Sequence, residues 1–151
     1  MNRRLEMKTI KELNLDSKAK LLLVLFAAGE EGVTILQRRI VPIIFMLQKE
    51  GIIDFGYKFN FTKDVPYSLK LHGDIGHGVN EEEICATVMA NKFIFKIREA
   101  GYSLLKVKNA NDASDFRKLL DKIGARLRDF DAMTEPEFFS AVGAASKATA
   151  G

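Results

Sequence analysis

The run Leu21-Leu22-Leu23-Val24-Leu25-Phe26 is apolar on every side of a helix, and a helix without a polar face must be enclosed by other elements. No other stretch constrains the chain as much, because this one has to lie at the centre with further helices or strands around it. Asp16 and Ser17 offer capping side chains ahead of it, and Gly29 offers a stop behind it. The apolar stretch from Leu21 to Ala28 is far short of the roughly 20 residues that span a bilayer, so no membrane segment is expected. At 151 residues and 47% hydrophobic, the chain can build one core without disulfides or metal. A single Cys closes no internal disulfide, and Met1 to Lys8 carries charge without a signal-length apolar run. An intracellular, cytoplasmic protein is the expectation. One domain covers residues 1–151, with 1–15 and 143–151 expected to fray.

Around the central helix the pattern is mixed. A second helix is expected from Thr34 to Glu50, with Ile40, Ile43, Ile44 and Leu47 at helical spacing and a break near Val41 imposed by Pro42. Tyr57, Phe59 and Phe61 alternate with Lys58 and Asn60 as a short half-buried strand does. Tyr67 to Ile75 could form one short helix despite nearby Gly73, Gly76 and Gly78. Asn80 followed by Glu81, Glu82 and Glu83 reads as a helix start, with a capping side chain and then carboxylates at the positive end of the dipole. That predicts a helix from Glu81 to about Ala90. Phe116, Leu119, Leu120, Ile123, Leu127 and Phe130 share one face of a long helix. Thr134-Glu135-Pro136-Glu137 is a capping box that opens a last helix burying Phe138, Phe139 and Val142.

Net charge is only +3, a weak pointer to a polyanionic partner. Its distribution is uneven. Residues 92–108 hold five Lys or Arg against one acidic residue, whereas residues 61–91 hold two against five. Lys92 to Ile97 and Tyr102 to Lys108 read as two strands joined by the loop Glu99-Ala100-Gly101. In that register Lys92, Lys96, Arg98, Lys106 and Lys108 share one face, and Phe93, Phe95, Ile97, Leu105 and Val107 share the other. Lys92 opposite Lys108 is a like-charge pair that a phosphate backbone would relieve. The plainer alternative is a solvated hairpin face whose lysines discourage edge aggregation. A rival reading carries the preceding helix through Ala100 to Gly101.

Leu36-Gln37-Arg38, Phe45-Met46-Leu47-Gln48, Gly56-Tyr57-Lys58-Phe59, then Val65-Pro66-Tyr67-Ser68-Leu69-Lys70-Leu71 and Asp74 together resemble the pattern of YwgA-like proteins and the related Panacea domain of antitoxins. The similarity spans roughly residues 17–108. It departs from the pattern at Val65, where the family has Gly, and at Pro42, where the family has Lys. The resemblance implies a winged-helix-like α+β domain that binds nucleic acid or another protein and has no known catalytic centre.

Other constellations carry less. His72, Asp74 and His77 are metal-capable, with Cys85 the nearby thiol, but on a helix the two imidazoles would stand about 140° apart. Gly73, Gly76 and Gly78 reverse the dinucleotide fingerprint and lack its strand–helix context. Cys85, between Ile84 and Ala86, reads as a small buried apolar residue. The chain spells out no nucleophile, base and orienter, so no enzyme and no cofactor is expected. The expectation is thus an α+β, winged-helix-like domain, mainly helical with a short β-hairpin wing. It binds double-stranded DNA, with Lys92, Lys96, Arg98, Lys106 and Lys108 gripping phosphates, Arg38 and Arg39 adding contacts, and Lys70 and His72 exposed on the helix after Pro66. A homodimer built on the last two helices would suit a two-fold operator. The alternative is a protein-interaction module of antitoxin or adaptor type.

Overall fold

The structure, a computed structural model, describes residues 15–29, 33–34, 39–89, 92–109 and 113–150. It mixes helix and sheet and is mostly helical. The elements are α1 (Ser17–Ala28), β1 (Val33–Thr34), α2 (Ile40–Lys49), β2 (Asn60–Thr62), β3 (Val65–Tyr67) and α3 (Leu69–Asn80). They continue with β4 (Ile84–Met89), β5 (Lys92–Ile97), α4 (Glu99–Asn109), α5 (Ala113–Ala132) and α6 (Glu135–Ala150).

Helix α1 lies at the centre, as its all-round apolarity requires. Asp16 caps it, its Oδ1 accepting from the Ala19 amide at 2.8 Å, and Gly29 ends it at φ 65°. Leu21 to Leu25 are all buried, each removing side-chain surface worth about 2 kcal/mol from water. Helices α3, α4 and α5 and strand β5 pack around it.

Helix α2 starts later than expected, and Val33–Thr34 is strand rather than helix. Pro42 breaks nothing. It is the third residue of α2, in the first turn, where an amide has no partner within the helix. Tyr57 belongs to an irregular segment in which burial alternates, and ladder pairing begins only at Asn60.

Strands β4 and β5 form an antiparallel hairpin from Ile84 opposite Ile97 to Met89 opposite Lys92. The other side of β5 pairs with β1, with Val33 opposite Phe95. The sheet order is therefore β1-β5-β4. This overturns two expectations. The helix predicted over Glu81 to Ala90 is strand β4, and Asn80 with its glutamates ends α3 instead of opening a helix. Glu82 turns the chain at φ 59°. The β-branched Ile84, Thr87 and Val88 then fit a pleated surface better than a helix.

The ribbon expected over 92–97 and 102–108 also does not form. Glu99 to Asn109 is helix, so Glu99-Ala100-Gly101 is its first turn and not a tight reversal. Two contacts favour it: the Tyr102 amide donates to the Arg98 carbonyl at 3.0 Å, and the Tyr102 ring stacks on Phe26 with centroids 5.0 Å apart. Leu105, three residues on, is fully buried. Hydrogen bonding local to the helix and burial against α1 outweigh the period-2 signal, which β5 satisfies with β4 instead.

Helices α5 and α6 follow the expected pattern. The capping box closes in both directions, with the Thr134 amide donating to Glu137 at 3.1 Å and the Glu137 amide to Thr134 at 3.3 Å. Past Gly143, α6 continues to Ala150, and Ser146 is buried. The apolar faces of α5 and α6 lie in the core of the single chain, where Phe130 meets Phe138 edge-on at 5.6 Å. Among the described residues, no helix is long and apolar enough to cross a membrane.

Candidate nucleic-acid interface

The sequence-derived cations do not converge as a ribbon face would have placed them. Lys92 and Lys96 belong to β5, and Arg98 follows it, exposed, its amide donating to the Glu83 carbonyl at 2.8 Å. Lys106 and Lys108 sit on the helical backbone of α4. Arg38 lies outside the described residues. The five cations therefore share no strand face, and the phosphate grip built on that face is withdrawn.

Arg39 is not a surface contact. It is only 7% exposed, because it closes the far end of α5. Its Nη1 donates to the Phe130 carbonyl at 3.3 Å and its Nη2 to the Met133 carbonyl at 3.5 Å, while the guanidinium lies 4.8 Å from the Phe138 ring centroid. A cation at a helix C-terminus satisfies carbonyls that have no partner within the helix and complements the dipole. The role is to join α2, α5 and α6.

Lys70 is exposed on α3, and this helix is the best-formed candidate surface. Ser68 caps it, its Oγ accepting from the Leu71 amide at 3.2 Å. Only Leu71 and Gly78 are buried along its length. At 100° per residue, Leu69, Gly73, Gly76 and Asn80 line the centre of the outward face, with His72 on one flank and Lys70 and His77 on the other. A Cβ added at Gly73 or Gly76 would meet nothing within 4 Å. The face is thus low and open along its midline.

Polar contacts join the burial of Leu71 and Ile75 in holding α3 to its neighbours. Asp74 Oδ2 accepts from Ser17 Oγ at 2.6 Å and from the Tyr57 hydroxyl at 2.6 Å. Burial first, and then the Asp74 carboxylate, push the Tyr57 hydroxyl well above its ordinary pKa, which keeps it a donor. Gln48 fixes Tyr57 in turn, donating to its carbonyl at 2.9 Å and accepting from its amide at 3.1 Å. One turn along α3, Lys18 Nζ lies 3.0 Å from His77 Nδ1 and 2.8 Å from Glu83. Hence Asp74 and Glu83, two of the acidic residues in the 61–91 stretch, turn inward, while Glu81 and Glu82 remain exposed at the end of the helix.

No pattern in the sequence announces this network. Its bonded members lie from 9 positions apart, for Gln48 and Tyr57, to 65, for Lys18 and Glu83, and no local period connects them. Among the described residues no three His, Cys, Asp or Glu side chains gather as a metal site, and Asp74 is committed to Tyr57 and Ser17. Cys85 is half-buried and unpaired. A scan against protein-family models and searches of curated proteins and of solved structures return no match to the chain.

Proposed function

We propose that α1, α2, α3 and the three-stranded sheet form a winged-helix-like domain that docks on double-stranded DNA, with α3 entering the groove and the β4–β5 hairpin as the wing. The observation that carries this reading is the order of elements: helix, strand, helix, helix, then two strands, with the first strand beside the last in the order β1-β5-β4. The hairpin β2–β3 is an addition between the second and third helices. Fold alone does not make a function, so the surface must also suit the ligand. The outward face of α3 presents Lys70, His72, His77 and Asn80 as polar groups, and its one carboxylate is turned inward to Ser17 and Tyr57. Lys92 and Lys96 lie on the wing strand, where phosphate contacts would position the protein without reading sequence.

Salt dependence of duplex binding tests the reading. Affinity should fall linearly on a logarithmic salt axis, and Lys70→Gln should lower the slope by about 0.9, the change that follows when one phosphate fewer is neutralised. Arg39→Met should leave the slope of the folded protein unchanged. No retention of any duplex at low salt would end the DNA reading.

A second reading, a protein-interaction module, is favoured by one specific feature. Val65, Tyr67 and Leu69 alternate outward along β3 and into α3, all exposed, with Leu69 at 80%. Exposed apolar side chains in succession suit an apolar partner surface better than a phosphate backbone. Under this reading, duplex retention is absent, and Leu69→Ser weakens concentration-dependent association measured by sedimentation.

A further inference from the structure

We propose that Lys18, His77 and Glu83 form a pH-sensitive latch that holds the C-terminal half of α3 against α1 and lets go when His77 takes a proton. Helix α3 depends on such a tie. Its only buried positions are Leu71, near its start, and Gly78, which has no side chain. Its second half is anchored by the half-buried Ile75 and by Gly78, whose bare backbone packs against the buried Ile84 side chain, and the Lys18 contact is the side-chain tie that adds to these. The Lys18 ammonium is only 15% exposed and Glu83 only 11%, so that ion pair is shielded and stays in place. The third member differs, because the His77 side chain is 58% exposed and can reach water without unfolding anything.

The geometry sets the sign. An ammonium has protons and no lone pair, so at 3.0 Å from Lys18 Nζ the His77 Nδ1 must be the acceptor. The ring is then neutral, with its proton on Nε2, facing Glu81 at 3.9 Å. Adding a proton at Nδ1 removes the lone pair and sets two cations side by side. Lys18 keeps Glu83, and the imidazolium swings toward Glu81, its i+4 neighbour on the same helical path. The cross-helix bond is exchanged for one local to the turn.

From α1, Asp16 is committed to the Ala19 amide and Lys20 to the Asp54 carbonyl. From the irregular segment before β2, the Tyr57 hydroxyl is committed to Asp74, which lies on α3 itself. Glu81 and Glu83 are already named, strand β4 brings no charged side chain, and Arg98, whose amide donates to the Glu83 carbonyl at 2.8 Å, and Glu99 follow strand β5.

That the latch would govern DNA docking rests on the reading of α3 given above, but the latch itself is tested without DNA. Amide hydrogen exchange over residues 69–80, corrected for intrinsic rates, is measured at pH 7.5 and 5.5 for the wild type, His77→Asn and His72→Asn. Asn keeps an acceptor for Lys18 and does not titrate. Protection in the second half of α3 should drop about tenfold on acidification in the wild type, the scale of one charged hydrogen bond. It should drop equally in His72→Asn and stay flat in His77→Asn. Long-range nitrogen spectra of the wild type at pH 8 should show His77 protonated on Nε2, a readout that needs no variant. Flat wild-type protection, an equal drop in His77→Asn, or a proton on Nδ1 would each overturn the latch. Duplex affinity measured alongside separates the two claims: protection that responds while no duplex binds retains the latch and removes the DNA reading.

Discussion

At Arg39 a residue read as a surface cation becomes a structural one. Among the described residues its guanidinium meets two carbonyls and an aromatic ring and no carboxylate, and its Nε has no partner. Arg39→Met keeps most of the packing and leaves the α5 carbonyls unsatisfied, so it should cost about 1–3 kcal/mol in denaturant unfolding. Glu137 offers a second test at this scale. The Thr134 side chain, followed by the Thr134 backbone, holds its carboxyl below the ordinary 4.5. A lowered folded value means that the stabilising contribution is present above the ordinary value and is lost as pH falls through the lowered one. Glu137→Gln keeps the acceptor and removes the titration. The stability gap between wild type and this variant, followed by thermal melts, should therefore narrow below pH 4.5 and stay constant above it.

The glycines of α3 and α4 separate two kinds of helix. Gly73 and Gly76 have open space where a Cβ would go, so Gly→Ala at either should stabilise the fold by up to about 1 kcal/mol. If α3 enters a groove, the same variants should weaken duplex binding, since the midline of the helix is then filled. Gly101 is the opposite case. A Cβ there would lie 2.7 Å from the Glu83 carbonyl oxygen and 3.0 Å from Ile97 Cγ1, and that carbonyl already accepts from the Arg98 amide. Gly101→Ala should destabilise by about 1–3 kcal/mol in spite of its better helix propensity. The same close approach explains why the loop signal at Glu99 to Gly101 was misleading: a glycine expected to turn a hairpin is there to let α4 pass the chain before β4.

For the whole molecule, the central place of α1 has a measurable consequence. Helices α3, α4 and α5 and strand β5 all pack on it, so a cavity there is felt by several elements at once. Leu22→Ala should cost about 2–5 kcal/mol and lower one cooperative thermal transition followed by circular dichroism, without creating a second one. An ion pair at the rim such as Arg126 with Glu50, 2.6 Å apart and part-exposed on both sides, should contribute far less, within about 1 kcal/mol. That contrast places the stability of the molecule in its buried helix and not in its charges.

The amino-acid sequence by itself determined the elements whose signals are local: the enclosed helix at 17–28, the amphipathic stripe of α5 and the capping box opening α6. Each is written in side chains within one or two turns, so no distant partner is needed to read it. Tertiary structure alone decided how the chain from Asn80 to Asn109 divides. Strand β4 and helix α4 exchange the identities that local patterns suggested, because a strand needs a partner across the ladder and a helix of modest propensity needs a surface to bury against. Only the fold supplies β5 to the one and α1 to the other. Proximity across long loops also brought Ser17, Lys18, Tyr57, Asp74, His77 and Glu83 together, and that is why the polar holdfast of α3 left no trace in any window of the sequence.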